Sequence, residues 1–335
     1  MNTAILTATV QQLFANGRGL LAMDESTATC NKRFAAAGIA QTIEMRRQYR
    51  ELIVTTAGLS ESIGGAILFD ETIRQQTTAG IPFTDILLKA GIIPGIKCDM
   101  GAVPLAGFPG EKITEGLDGL RERLDEYKKM GARFAKWRAV IAIDNGIPTL
   151  SCIDANVHAL ARYAALCQET GIVPIVEPEV LMDGDHSLQR CFDTTALVLQ
   201  KLFSQLYTQR IALEGMILKP NMVIAGTTAA AKNTVEEVAE ATVRCLLQHV
   251  PAAVPAIAFL SGGQSPDEAS AHLNAMNKIY QNRLPWIVSF SFARAIQQPA
   301  LDAWKGRPEN VTTAQQLLYK YAKNAAAARN GEWKA

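Results

Sequence analysis

Apolar runs of five or six residues, each closing on a polar or charged residue, recur eight times along this chain. Residues 19–23 stop at Asp24, 65–69 at Asp70 and Glu71, and 92–96 at Lys97 and Asp99. Residues 134–138 carry Lys136 and Arg138, and 172–176 stop at Glu177. Residues 213–218 stop at Lys219, which Pro220 and Asn221 follow directly. Residues 256–260 stop at Ser261, and 286–291 lead through Ser291 to Arg294. Runs of this length and character predict short strands.

Between most of these runs the apolar spacing turns helical. Val157, Leu160, Ala164 and Cys167 share one helix face, with Gly171 just past its end, and Phe192, Ala196, Leu199, Phe203 and Leu206 repeat the pattern after the fifth run. Thr234 with Glu237, and Ser265 with Pro266 and Glu268, have capping-box spacing. Such segments are long enough to return the chain to a parallel neighbouring strand. Eight units predict closure into a (β/α)8 barrel with additional helices at both ends, residues 1–335 forming one domain. The rival is an open doubly wound sheet, which needs a glycine fingerprint where Asp24, Glu25, Ser26 and Thr27 stand instead.

Composition fits that picture. The chain has 335 residues, 48% hydrophobic and 19% charged, which suits one barrel with extensions. Thirty-three Lys and Arg against 32 Asp and Glu give a net charge of +1, so no whole-molecule field draws nucleic acid or an anionic membrane, and neither is expected as a partner. The charged stretch 121–133 reads as the solvated face of a helix. Six cysteines lack paired or metal-ligand spacing and point to a reducing compartment. No signal-like or membrane-spanning stretch is seen, so a cytoplasmic location is expected.

The polar run ends carry the chemistry, because barrels of this type hold their active sites at the C-terminal rim. Lys97, Lys136, Arg138, Lys219 and Arg294 would converge there with Asp24, Glu177 and Glu179. Singly, each reads as a structural ion pair or a solvated loop residue; the convergence argues for a site. Crowded cations in a dry cavity depress one another's pKa, so that Lys219, with Lys136 beside it, can serve as a neutral amine nucleophile. An iminium formed on a carbonyl substrate withdraws electrons from the adjacent carbon and permits carbon–carbon cleavage, with carboxylates moving the protons. Ser261, Gly262 and Gly263 after the seventh run, with Arg294 after the eighth, occupy the usual phosphate position of such barrels. Ser26, Thr29, Lys32 and Arg33, near Lys97, form either a second anion site or a capped, solvated helix start.

Ordered motifs then match a known family. LLAMDEST at 20–27, GGAILFDE at 64–71, GIKCD at 95–99, VPLAG at 103–107, FAKWR at 134–138, GIVPIVEPE at 171–179, LKPNM at 218–222 and LSGGQS at 260–265 closely resemble class I fructose-bisphosphate aldolases along nearly the whole chain. The resemblance implies reversible cleavage of fructose 1,6-bisphosphate to dihydroxyacetone phosphate and glyceraldehyde 3-phosphate without a metal or other cofactor, in glycolysis, gluconeogenesis or the Calvin cycle. It assigns the Schiff base to Lys219, an electrostatic role to Lys136, proton transfer during iminium formation to Glu177, and removal of the carbon-4 hydroxyl proton to Asp24, with Glu179 in support. Ser261, Gly262 and Arg294, counted with Gly263 and Ser291, resemble the carbon-1 phosphate site. Ser26, Thr29, Lys97 and Arg138 line the carbon-6 end, with Arg33 reaching in from the loop after the first strand. A homotetramer is implied.

Departures from the family's animal members are Phe292 and Ala293 for Tyr-Gly, Met100 for a lysine, and Ala28 with Thr29 for Gly-Ser. The ending Glu332, Trp333, Lys334 and Ala335 stands where animal and plant members continue into a tyrosine-ended tail; Tyr319 and Tyr321 lie in a helical pattern and read as packing residues. The alternatives are another Schiff-base lyase of transaldolase or deoxyribose-phosphate aldolase type, which needs no second phosphate site, and a non-catalytic interaction protein on the same fold. A zinc-dependent aldolase would need a richer ligand set than His158, His186, His249 and His272 supply, and Asp183, Asp185 and His186 read as a turn before a helix.

Overall fold

A computed structural model describes residues 3–334 of the chain; Met1, Asn2 and Ala335 lie outside them. Eight parallel strands close into a barrel: β1 Gly19–Met23, β2 Ile63–Leu68, β3 Ile93–Lys97, β4 Phe134–Ile141, β5 Val173–Val180, β6 Ile217–Leu218, β7 Ala256–Phe259 and β8 Ile287–Phe292. Each pairs with its neighbours in sequence, and β8 closes on β1 through Leu20 opposite Ser291. A two-stranded antiparallel hairpin, Gly101–Pro104 with Lys112–Glu115, is inserted between β3 and β4.

Strand parity sorts the side chains. Leu20, Ala22, Ile67, Phe134, Val173, Ile175, Ile217, Ala256 and Ala258 fill the barrel, and Leu6, Val10, Leu13 and Phe14 of the helix Thr3–Phe14 plug its N-terminal end. Their alternating partners, such as Leu21, Met23, Trp137, Val176 and Leu218, pack outward against the helices. A period of two carries the inward face from apolar bottom to polar top: Phe134 to Lys136 to Arg138, Ile175 to Glu177 to Glu179, and Ile217 to Lys219. The strands therefore aim the charged residues into the mouth.

The predicted helices are present. Leu150–Thr170 ends on Gly171 in the left-handed region, Leu188–Thr208 follows β5, and both expected capping boxes form, at Thr234 and Ser265. The stretch 121–133 lies largely on the helix Leu120–Lys129, which buries Leu120, Leu124 and Tyr127 and leaves most of its charges in solvent. Tyr319 and Tyr321 sit half-buried on the helix Val311–Arg329.

Three strands depart clearly from the sequence reading. β4 runs on past Arg138 to Ile141 and β5 past Glu177 to Val180, and the sixth run is mostly not strand: Leu213–Gly215 is a single 3₁₀ turn before β6. Gly215 packs so closely on Leu6 that a Cβ there would lie 2.9 Å from the leucine side chain, which ties this turn to the plug rather than to the sheet.

Candidate active site

The C-terminal mouth of the barrel opens into a cavity of about 1060 Å³. Asp24, Ser26, Thr29, Lys97, Lys136, Arg138, Glu177, Glu179, Lys219, Ser261, Gly262, Ser291 and Arg294 all line it. A smaller hollow of about 410 Å³ lies on the flank near Leu117, Arg162 and Gln209 and contains none of these residues.

At the centre four charges alternate. Lys219 Nζ lies 3.1 Å from Glu177 Oε1, Glu177 Oε2 lies 3.2 Å from Lys136 Nζ, and Lys136 Nζ lies 2.8 Å from Asp24 Oδ2. All four side chains are buried. The row is built by register: Lys136 stands opposite Lys97 and Ile175, Glu177 opposite Arg138, and Lys219 N donates to the Val176 carbonyl just beyond β6. Pro220 and Asn221 then turn the chain, and Asn221 Oδ1 accepts from Val180 N, tying the exits of β5 and β6 together.

Burial alone would raise the Asp24 carboxyl, but Lys136 and Lys219 outweigh it and hold the group at about 2. Burial likewise opposes ionisation of Glu177, and Lys136, Lys219 and Arg138 bring its pKa below the ordinary value. For Lys136 burial pulls down while Asp24, Glu177 and Asp99 lift it above the ordinary lysine value. The expectation that crowded cations depress one another's pKa does not hold for Lys136. The Glu177 carboxylate stands between the two lysines and Asp24 lies on the far side of Lys136, so Lys136 remains charged, and Lys219 Nζ has a carboxylate in contact.

Two further pairs flank the row. Arg138 is paired with Glu179, and Lys97 Nζ lies 2.5 Å from Asp99 Oδ1. Asp99 also accepts from the backbone of Gly101 and Arg138, which locks the lysine to the base of the hairpin. On the β1 side, Ser26 caps the helix Thr27–Ala36 by accepting from Thr29 N, so the capped helix start and the cavity wall are the same residues.

Arg33 and Gly263 are not in the wall, contrary to the sequence expectation. Arg33 is instead paired with Glu25, a residue of the cavity wall that Arg50 also holds at 2.9 Å, and donates to Gln298 3.1 Å away. Gly263, at φ +104°, lies behind Gly262; a Cβ on it would sit 3.3 Å from Arg294 Nη2. Lys32 is exposed and also outside the wall.

The sequence reading missed Lys112 on the hairpin and Arg123 and Tyr127 on the helix Leu120–Lys129, all of which line the cavity. The apolar spacing of Leu120, Leu124 and Tyr127 marks that helix's inner face. Nothing in it shows that Arg123 turns inward to donate to the Cys98 and Gly116 carbonyls. Asp183 and His186 lie in the loop between β5 and the helix Leu188–Thr208, and only Asp183 reaches the cavity. Among the described residues no cluster of three or more His, Cys, Asp or Glu side chains has metal-holding geometry, and no helix is long and apolar enough to cross a membrane.

The family model for fructose-bisphosphate aldolase class-I matches residues 5–335. The chain belongs to the class I fructose-bisphosphate aldolases. It is 56% identical over 335 residues to a probable fructose-bisphosphate aldolase class 1 of Xanthomonas campestris pv. campestris, covering 100% of both chains. It is 49% identical to a muscle-type fructose-bisphosphate aldolase of Lethenteron camtschaticum, covering 97% of this chain and 89% of the lamprey protein. The structure of a Plasmodium falciparum fructose-bisphosphate aldolase, solved in complex with TRAP and a small-molecule inhibitor, superposes with a TM-score of 0.97 at 46% identity, over 99% of this chain and 96% of that one. The barrel mouth of this aldolase thus presents an amine, two carboxylates with a lysine between them, and cations at two separated edges, Arg294 beyond β8 and Lys97 with Arg138 on β3 and β4.

Proposed function

We propose that Lys219 forms the Schiff base through which this aldolase cleaves fructose 1,6-bisphosphate. The observation that carries the reading is the buried row Lys219, Glu177, Lys136, Asp24, each member within 3.2 Å of the next. Lys219 Nζ attacks the carbon-2 carbonyl, and Glu177, in contact with that nitrogen, carries the proton that lets the carbinolamine lose water. The resulting iminium accepts the electron pair of the carbon-3 to carbon-4 bond as it breaks. Asp24 takes the proton from the carbon-4 hydroxyl, so that carbon becomes the aldehyde of glyceraldehyde 3-phosphate. Protonation of the remaining enamine and hydrolysis release dihydroxyacetone phosphate and restore the amine.

Lys136 holds both carboxylates in their ionised, proton-accepting form, and Glu179 orients Arg138. The carbon-1 phosphate is assigned to Ser261, Gly262, Ser291 and Arg294, and the carbon-6 phosphate to Ser26, Thr29, Lys97 and Arg138. Arg33 and Gly263 act behind these contacts.

Family resemblance further supports a single-domain subunit, a homotetramer and action without a metal, and relatives named as cytosolic support a cytoplasmic location. The test is borohydride reduction in the presence of dihydroxyacetone phosphate, followed by peptide mapping. The label falls on Lys219 if the reading is right; a label on any other lysine, or loss of activity in chelator with no borohydride effect, overturns it.

A further inference from the structure

The loop 261–263 beyond β7 is held from behind by one side-chain amide. Gln264 is buried, and its Nε2 donates to the Ser261 carbonyl at 3.0 Å and to Met222 Sδ at 3.6 Å. Its backbone N–H reaches the same Ser261 carbonyl, also at 3.0 Å. With Nε2 engaged as donor, Oε1 is the acceptor end, and His272 Nδ1 lies 2.5 Å from it. The contact requires the imidazole to carry a proton on Nδ1. His272 stands on the helix Pro266–Ile279 with 5% of its surface exposed, and burial draws its pKa below the ordinary value against the pull of Glu268 and Glu236. Neutral imidazole with Nδ1 protonated is therefore the resting form.

What this tether controls follows from peptide geometry. In a trans peptide the carbonyl of one residue and the N–H of the next point in opposite directions. Two donors from Gln264 pin the Ser261 carbonyl to the protein side, so the Gly262 N–H is turned to the other side, and Gly262 lines the cavity. Gly262 and Gly263 sit at φ +61° and +104°, and residues this permissive have many other conformations open to them when unheld.

We propose that His272 is a positioning residue for phosphate recognition: acting through Gln264, it fixes the Ser261–Gly262 peptide so that its N–H faces the phosphoryl group. This rests on the assignment of that loop to the carbon-1 phosphate.

The test compares H272L and H272A, which lose the donor, with H272N, which keeps an N–H near the position of Nδ1, and Q264M, which removes the link. The readouts are KM for fructose 1,6-bisphosphate, the inhibition constant of inorganic phosphate, and kcat. H272L and Q264M raise KM and the phosphate inhibition constant roughly two- to tenfold, the range for one neutral hydrogen bond, with kcat held within about twofold. H272N restores both constants, and H272L/Q264M is no weaker than either single variant because the two act in series. H272A carries the same expectation and is read in place of H272L if the leucine variant does not fold. Unchanged phosphate inhibition in the donor-less variants, a fall in kcat with KM unchanged, or additive effects overturn the proposal. S261A and R294A separate the failures: if they weaken phosphate inhibition and the His272 variants do not, only the role of His272 falls. If they too leave it unchanged, the loop is not the phosphate site and both readings fall.

Discussion

Lys219 Nζ and Glu177 Oε1 are in direct contact at 3.1 Å, with both side chains buried. A proton can pass between them without an intervening water. The proposed nucleophile follows directly on β6 and its proposed proton acceptor lies on the adjacent strand β5, and the pairing of the two strands, continued by the Lys219 N–H to Val176 carbonyl bond, brings them together. Mutating either end should affect different stages of the reaction.

Replacing Lys219 by arginine keeps a cation against Glu177 but removes the amine that can attack a carbonyl. Lys219→Arg should fold normally, lose borohydride labelling altogether, and lose roughly 10⁴-fold or more in kcat. Residual labelling with dihydroxyacetone phosphate would place the Schiff base elsewhere.

The two carboxylates should separate in single-turnover experiments. Glu177→Gln slows formation of the trapped adduct by roughly 10²- to 10⁴-fold, the usual worth of a general acid or base. Asp24→Ala forms the adduct yet stalls before glyceraldehyde 3-phosphate appears. Equal defects in adduct formation would refute this division.

Asp24 also links the site to acid stability. Its folded pKa of about 2 lies below the ordinary value of 3.8, so its ionised form stabilises the fold above about pH 4, and that contribution is lost as pH falls toward about 2. The shift corresponds to about 2 kcal/mol. Urea unfolding of wild type and Asp24→Asn should show a stability difference that shrinks by this amount between about pH 5 and pH 2. A pH-independent difference would mean that Asp24 is not held ionised by its lysines.

How far the sequence foretells this site depends on which physical rule governs each residue. Strand exits were legible because short apolar runs ending in charge are a local signal, and Lys219, Glu177 and Asp24 each follow such a run, while Lys136 lies inside one. The continuation of β5 through Glu177 and Glu179 was not, because a charge facing an enclosed cavity looks in sequence like a charge in a loop. The partner of Arg33 was also hidden: Glu25 is near in sequence, but Gln298 is brought in by the closure of β8 on β1. The polar ends of the apolar runs revealed that cations and acids share the rim; only register showed that they alternate. That order changes the argument for Lys219 from repulsion between cations to contact with a carboxylate.

Arg294 tests the assignment of the two phosphates. It lies exposed at the rim beyond β8, near Ser261 and Gly262. Arg294→Ala should weaken dihydroxyacetone phosphate and the bisphosphate by about 1.5–3 kcal/mol each, the worth of a charge-assisted hydrogen bond, and leave glyceraldehyde 3-phosphate nearly unaffected. Competitive inhibition constants for the three ligands decide it, and equal weakening of all three would assign Arg294 to both ends or to neither.

The barrel floor sets the positions of the lysines above it, and Gly95 shows how tightly. A Cβ on Gly95 would lie 2.3 Å from both Cε2 and Cζ of Phe134, whose ring is fully buried in the barrel interior. The ring cannot retreat, because Leu20, Ile67, Val173 and Ile175 fill the same interior. Gly95→Ala should therefore cost about 1–3 kcal/mol by overpacking. Lys97 stands two residues beyond Gly95 and Lys136 two beyond Phe134, on the same inward faces, so the displacement should also lower kcat. Phe134→Leu alone should destabilise by leaving a cavity. Combined with Gly95→Ala, the smaller leucine makes room for the new methyl group, and the double variant should be more stable than the sum of the single effects predicts, with part of the activity restored. Additive losses in urea unfolding, or a Gly95→Ala variant as stable as wild type, would show that the floor relaxes freely and that the lysines above it are positioned by other contacts.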